Sequence, residues 1–234
     1  MDNAAGPEDT REKQGEQMPP FTVRDCVLVA LATGHRAQNL RELRNGLLAI
    51  DLESIYYHFW ARLLRPRFDE PEYNNDFAAW AHRALDEKAL AERLSVVNPA
   101  DFPNLEALRQ ELVEIIEDRL DESPYVPWTQ ADKQFYFISS QIVIFDTGVQ
   151  AASPRELATF LPIISPGSIY YHFIDAHRRS PEHVDDFSAW LSGCGERYDL
   201  LKTKIQSVDP YFSSLWELRR IIAAYFAEYF SGVQ

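Results

Sequence analysis

Ser54-Ile55-Tyr56-Tyr57-His58-Phe59 recurs as Ser168-Ile169-Tyr170-Tyr171-His172-Phe173. Six identical residues, half of them aromatic, point to an internal duplication with an offset of 114 residues (Ser54 to Ser168). Backward, the offset holds without a gap to Phe21 and Phe135, superposing Thr33-Gly34 on Thr147-Gly148 and Arg41-Glu42-Leu43 on Arg155-Glu156-Leu157. Forward of the hexapeptide the second copy is four residues shorter, after which Asn75-Asp76-Phe77-Ala78-Ala79-Trp80 matches Asp185-Asp186-Phe187-Ser188-Ala189-Trp190. Val97-Asn98-Pro99 then matches Val208-Asp209-Pro210.

The duplication divides the 234 residues into a polar tail over residues 1–20, a repeat over 21–120, a linker over 121–134 and a second repeat over 135–234. Each repeat is of ordinary domain size. The tail has no periodic apolar residues and ends in Pro19-Pro20, so it is expected to be disordered.

Composition bounds the function classes. Apolar residues at 46 % and charged residues at 25 % describe a soluble globular chain. A net charge of −13 without a Lys/Arg stripe argues against nucleic acid. No apolar run reaches the length of about 18 residues that a membrane span needs, and no signal pattern opens the chain, so a cytoplasmic location is expected. Cys26 and Cys194 fall at non-equivalent places in the two copies and read as reduced thiols.

Local signals within each copy are mostly helical. Asn39-Leu40-Arg41-Glu42, Ser153-Pro154-Arg155-Glu156 and Ser214-Leu215-Trp216-Glu217 are capping sequences, each with Glu three residues after the cap. Ser54 and Ser168 are expected to cap a second helix carrying the repeated aromatics, and Asp76 or its neighbour a third. Residues 23–33 and 137–147 are ambiguous: Gln141-Ile142-Val143-Ile144-Phe145 has strand composition, whereas a short buried helix capped by Ser139 or Ser140 fits the surrounding pattern, and helix is the reading taken. Thr33-Gly34 and Thr147-Gly148 would then end that element on a left-handed glycine. The fold class expected is all-α, two tandem copies of a five-element helical module about a pseudo-two-fold axis.

The run from Thr-Gly through Asn-Leu-Arg-Glu-Leu, Ser-Ile-Tyr-Tyr-His-Phe, Asn-Asp-Phe-Ala-x-Trp and Asn-Pro-x-x-Phe resembles a family of small uncharacterised prokaryotic proteins, a domain of unknown function. The resemblance covers the first copy and, more weakly, the second, which carries Gly193-Cys194-Gly195 where a helix is expected. That family has no assigned reaction, so the likeness implies boundaries and no activity.

Catalytic patterns are scarce. Helical di-iron sites need Glu-x-x-His, but Ile55 and Ile169 stand three residues before His58 and His172, and no HExxH run exists. There is no Gly-x-Ser-x-Gly elbow and no phosphate loop among the 9 glycines. Neither a metal nor a cofactor is therefore expected. Arg41 and Arg155 fall at the second position of a helix, where a cation opposes the macrodipole, so each is expected to pair with Asp76 or Asp186, or else with a bound anion.

Three function classes follow, in order. The first is a non-catalytic interaction or scaffold protein, with a protein partner or self-association as a homodimer. Its interface would use Ile221, Tyr225 and Tyr229 on a last helix that is apolar on nearly every face and otherwise expected to be buried between the copies. The second is a module for a small polar or anionic ligand such as a sugar, built from Arg41, Tyr57, His58, Asp76 and Trp80 with Arg155, Tyr171, His172, Asp186 and Trp190. The third is an enzyme with His58 or His172 as general base. Against both ligand readings stands a structural one, in which the aromatics fill core and the histidine holds a hydrogen bond.

Overall fold

The computed structural model describes residues 18–64, 72–122, 124–211 and 213–232. It corrects the all-α expectation: residues 21–37 and 135–151 are strands, β1 (Phe21–Ala37) and β2 (Phe135–Ala151), paired antiparallel in a two-stranded ribbon. The fold is α+β. Between and after the strands lie α1 (Leu40–Ala49), α2 (Leu52–Trp60), α3 (Asp76–Arg83), α4 (Lys88–Ser95), α5 (Leu105–Glu122), α6 (Pro154–Phe160), α7 (Pro166–Ile169), α8 (Ala176–Arg179), α9 (Asp186–Gly193), α10 (Asp199–Gln206) and α11 (Leu215–Gly232).

The strand period escaped local reading because bulges interrupt it. Phe21 and Val23 are buried, then a register shift between Val23 and Arg24 moves the inward positions to Cys26 and Leu28. The Thr-Gly pairs sit in these irregularities rather than ending an element. Gly34 and Gly148 have φ of 79° and 71°, and the Thr33 and Thr147 hydroxyls donate to the carbonyls of Phe137 (2.6 Å) and Val23 (2.5 Å).

The register is symmetric. Phe21 faces Ala151, Ala37 faces Phe135, and the midpoint is Leu28 opposite Ile142, its counterpart at the 114-residue offset. Two further pairs of counterparts meet: the Tyr170 hydroxyl donates to that of Tyr56 at 3.0 Å, and Asn98 Nδ2 donates to Asp209 Oδ2 at 3.1 Å. All three pairs lie where the first half meets the second. The two halves also exchange strands: β1 starts against α7 in the second lobe and ends against α1 in the first, while β2 packs on α2. One apolar core runs through both lobes, from Leu43 and Phe59 to Phe173 and Leu218.

The caps form as expected at Asn39, Ser153 and Asn75, whose side chains accept from the backbone N–H of Glu42, Glu156 and Ala78. Ser54 and Ser168 are not caps. Their helices begin after Asp51 and Ser165, which leaves both serines buried inside. The last helix is also corrected, because α11 packs on α6, α7 and α10 and so buries only the stripe Leu215, Leu218, Ile222 and Phe226. Ile221, Tyr225 and Tyr229 are half-buried beside that stripe, and the Tyr229 hydroxyl donates to the Arg197 carbonyl at 2.6 Å. Trp216 is exposed beneath the Arg219 guanidinium, 4.5 Å from its ring.

Candidate functional site

His58 lies in α2, which presents its ring to α3 and to the incoming β2. Nδ1 is 2.9 Å from Asp76 Oδ2, and the backbone N–H of Ile138 donates to Nε2 at 3.1 Å. His172 repeats this with Asp186 Oδ2 at 2.7 Å and the Arg24 N–H at 2.9 Å. A backbone N–H can only donate, so Nε2 holds the lone pair and Nδ1–H donates to the carboxylate. Each imidazole is thus a neutral latch that fixes the other half's strand.

Aromatic rings close around each latch. Phe135 lies 4.7 Å from His58 and Phe21 lies 4.8 Å from His172. Tyr57 and Tyr171 stand edge-on to the histidines, and the Trp80 and Trp190 indole N–H groups donate to the carbonyls of Lys133 (2.7 Å) and Pro19 (2.9 Å). Tyr57, His58, Asp76 and Trp80 therefore do come together, as do Tyr171, His172, Asp186 and Trp190.

Arg41 and Arg155 do not join them. Their guanidiniums stack over Trp128 (4.7 Å) and Phe230 (4.9 Å), which corrects the expected pairing with Asp76 and Asp186. The His58 imidazole takes Asp76, and Asp186 is shared by His172 and Arg179, whose Nη2 is 3.0 Å from it. Burial alone would raise the Asp186 carboxyl, but the hydrogen bonds from His172 and Arg179 outweigh it and hold the group below the ordinary aspartate value.

At the second latch a surface pocket of about 440 Å³ is lined by Arg24, Tyr171, His172, Asp186 and Trp190, with the chain at Pro19 and Pro20 along one wall. A larger cleft of about 1160 Å³ lies between the lobes. Its distinctive feature was missed by reading the repeats for likeness, because it lies where they differ. Through the same hexapeptide α2 stays α-helical and then tightens into a 3-10 turn (Ala61–Leu64), whereas the second copy widens within it into a π-helix (Tyr170–Asp175) leading into α8. Buried Asp175 there accepts from the Nε atoms of Arg178 and Arg179, the latter at 2.8 Å. A search for non-matching charged residues after the hexapeptide would have found it. Among the described residues no group of three or more His, Cys, Asp or Glu side chains is placed to hold a metal ion. No helix among them is long and apolar enough to cross a membrane.

Residues 18–227 match the model of a family of unknown function, DUF5752. The chain belongs to that family. The match runs through both halves at once, where the sequence suggested a family the size of one copy. The fold is similar to the structure of OrfY from Thermoproteus tenax, with a TM-score of 0.77 and 25 % identity over 93 % of this chain and 98 % of that one. No curated protein matches.

Proposed function

We propose that this member of the family is a non-catalytic interaction protein, descended from a duplicated module, that assembles with a second copy of itself through the outer face of its ribbon. The carrying observation is the ribbon's exposure. On one face Val27, Val29, Leu31, Val143 and Phe145 are 38 % to 47 % exposed, around the pair Val27–Val143. Because the sheet has two strands, each also has one edge without a strand partner among the described residues, engaged by side chains only at places such as Arg24 and Ile138. From Cys26 to Ala32 and from Ile138 to Phe145 the strands carry no charge and no proline, the residues that guard exposed edges elsewhere.

A second copy suits this face for two reasons. Its near-symmetry about Leu28 and Ile142 lets the same contacts form twice across a two-fold interface. The ribbon is also electrically neutral, with Arg24 and Arg36 against Asp25 and Asp146, in a chain of net charge −13. Two acidic molecules repel least there. The general-base reading loses its support, since both nitrogens of each repeated imidazole are engaged within the fold.

Light scattering on the purified chain tests the proposal. The wild type is expected to be a dimer, and Val27→Arg with Val143→Arg a folded monomer, since both side chains are exposed. A wild type that stays monomeric as concentration rises, or a double variant that stays dimeric, sinks it.

A further inference from the structure

We infer that the cleft between the lobes binds a small hydroxylated anion, a phosphate monoester or carboxylate of a polyol. The cleft's volume of about 1160 Å³ is enough for a phosphorylated sugar with some water. It is formed by the α2 side chains Leu52, Tyr56 and Trp60, two counterpart loops around Asn98 and Asp209, and the segment after the π-helix.

The two halves differ here in the residues that follow the hexapeptide. Asp175 and Arg178 stand where the first copy has Ala61 and Leu64. Asp175 orients both guanidiniums, Arg178 Nη1 is further held by Glu53 at 2.7 Å, and Arg179 Nη2 donates to the Tyr171 carbonyl at 2.8 Å. Arg178 Nη2 and Arg179 Nη1 keep their N–H groups unpaired among the described residues, on side chains 30 % and 33 % exposed. Beside them His177 and His183 line the cleft and donate from Nδ1 to the carbonyls of Phe173 (2.7 Å) and His177 (2.9 Å), which leaves Nε2 of each neutral ring an acceptor for a ligand hydroxyl. His183 holds φ at 53°, a conformation that non-glycine residues adopt only where neighbouring structure enforces it. π-helical turns such as Tyr170–Asp175 are frequent at functional sites.

The rest of the lining defines the body of the ligand. Asp101, the Asn104 amide nitrogen and the remaining lone pairs of Asn98 and Asp209, which also bond each other and nearby backbone N–H groups, suit hydroxyls, and Trp60 and Phe102 offer apolar surface to C–H faces. The same carboxylates repel polyanions, so one anionic group is taken, at the arginine wall, and the remainder is neutral and hydroxylated. The site shares no residue with the ribbon face, so dimer and monomer bind alike.

Isothermal titration of the full chain with glucose 6-phosphate, gluconate, glucose and inorganic phosphate tests the assignment. Saturable heat is expected for glucose 6-phosphate or gluconate, and which of them binds tells a phosphate ester from a carboxylate. Glucose and inorganic phosphate are each expected to bind at least roughly tenfold more weakly, since each keeps half of the contacts. His183→Gly, which relieves the backbone, and Asp101→Ala, at an exposed position, are both expected to fold as the wild type and to weaken binding about tenfold. The assignment is overturned if none of the four compounds binds, if inorganic phosphate binds as tightly as the larger anions, or if both variants bind like the wild type.

Discussion

Asp185 occupies the place that Asn75 holds in the first half, and a single atom separates their energetics. Asn75 accepts from Ala78 N–H and donates Nδ2–H to the Leu94 carbonyl at 2.9 Å. Asp185 accepts from Ser188 N–H, but its second oxygen is buried with no well-formed hydrogen bond among the described residues, and burial raises its carboxyl above the ordinary value. A raised acid favours the protonated form in the fold, so this group is harmless below its unfolded pKa and becomes a penalty as pH climbs. Asp185→Asn is expected to stabilise the protein by about 1–2 kcal/mol at neutral pH, with the gain shrinking in acid; urea titrations across pH check this. Asp186 behaves oppositely. Its depressed carboxyl contributes stability above the unfolded value that is lost as pH falls through the folded one. Asp186→Asn should therefore cost about 2 kcal/mol at neutral pH and nothing in acid, and a pH-independent loss would remove the latch. The twin histidines were legible in the sequence as repeated, hydrogen-bonding core residues. Their strand partners were not, because a backbone N–H leaves no mark on residue type.

The strands are the element that local signals misread. Val27-Leu28-Val29 and Ile142-Val143-Ile144 suit a strand, but a bulge turns the inward phase and the partner of each lies more than a hundred residues away. Their glycines make testable claims. Gly34 has φ of 79° with open space around it, so Gly34→Ala is expected to cost about 1 kcal/mol from backbone strain alone. Gly167, at the start of α7, is different: a Cβ there would lie 2.6 Å from the Cys26 carbonyl on β1 and closer still to the Asp25 carboxylate. Gly167→Ala is expected to cost about 3 kcal/mol, because backbone must move. Equal melting temperatures for the two variants would show that close approach of α7 does not seat β1. The same contact buries Cys26, whose thiol is pushed up to about 12, chiefly by burial, so it stays inert toward thiol reagents at neutral pH.

Across the whole molecule, strand exchange makes the halves interdependent. Phe135 and Phe137 complete the aromatic cluster on His58, and Phe21 completes the one on His172. Residues 21–120 alone are expected to lack cooperative unfolding by circular dichroism and to regain it when mixed with residues 121–234. A first half that unfolds cooperatively as a monomer would refute this dependence. The sequence by itself determined the repeated segments, the caps at Asn39, Asn75 and Ser153, and the company kept by Tyr57, His58, Asp76 and Trp80. These are matters of short spacing and residue type, which a chain carries locally. Tertiary structure alone decided that residues 21–37 and 135–151 are strands, that each crosses to the other lobe, and that Arg178 reaches Glu53 and Tyr56 of the first half. Those outcomes depend on hydrogen-bond partners and buried space supplied by distant segments, and such partners exist only once both halves have folded onto one another.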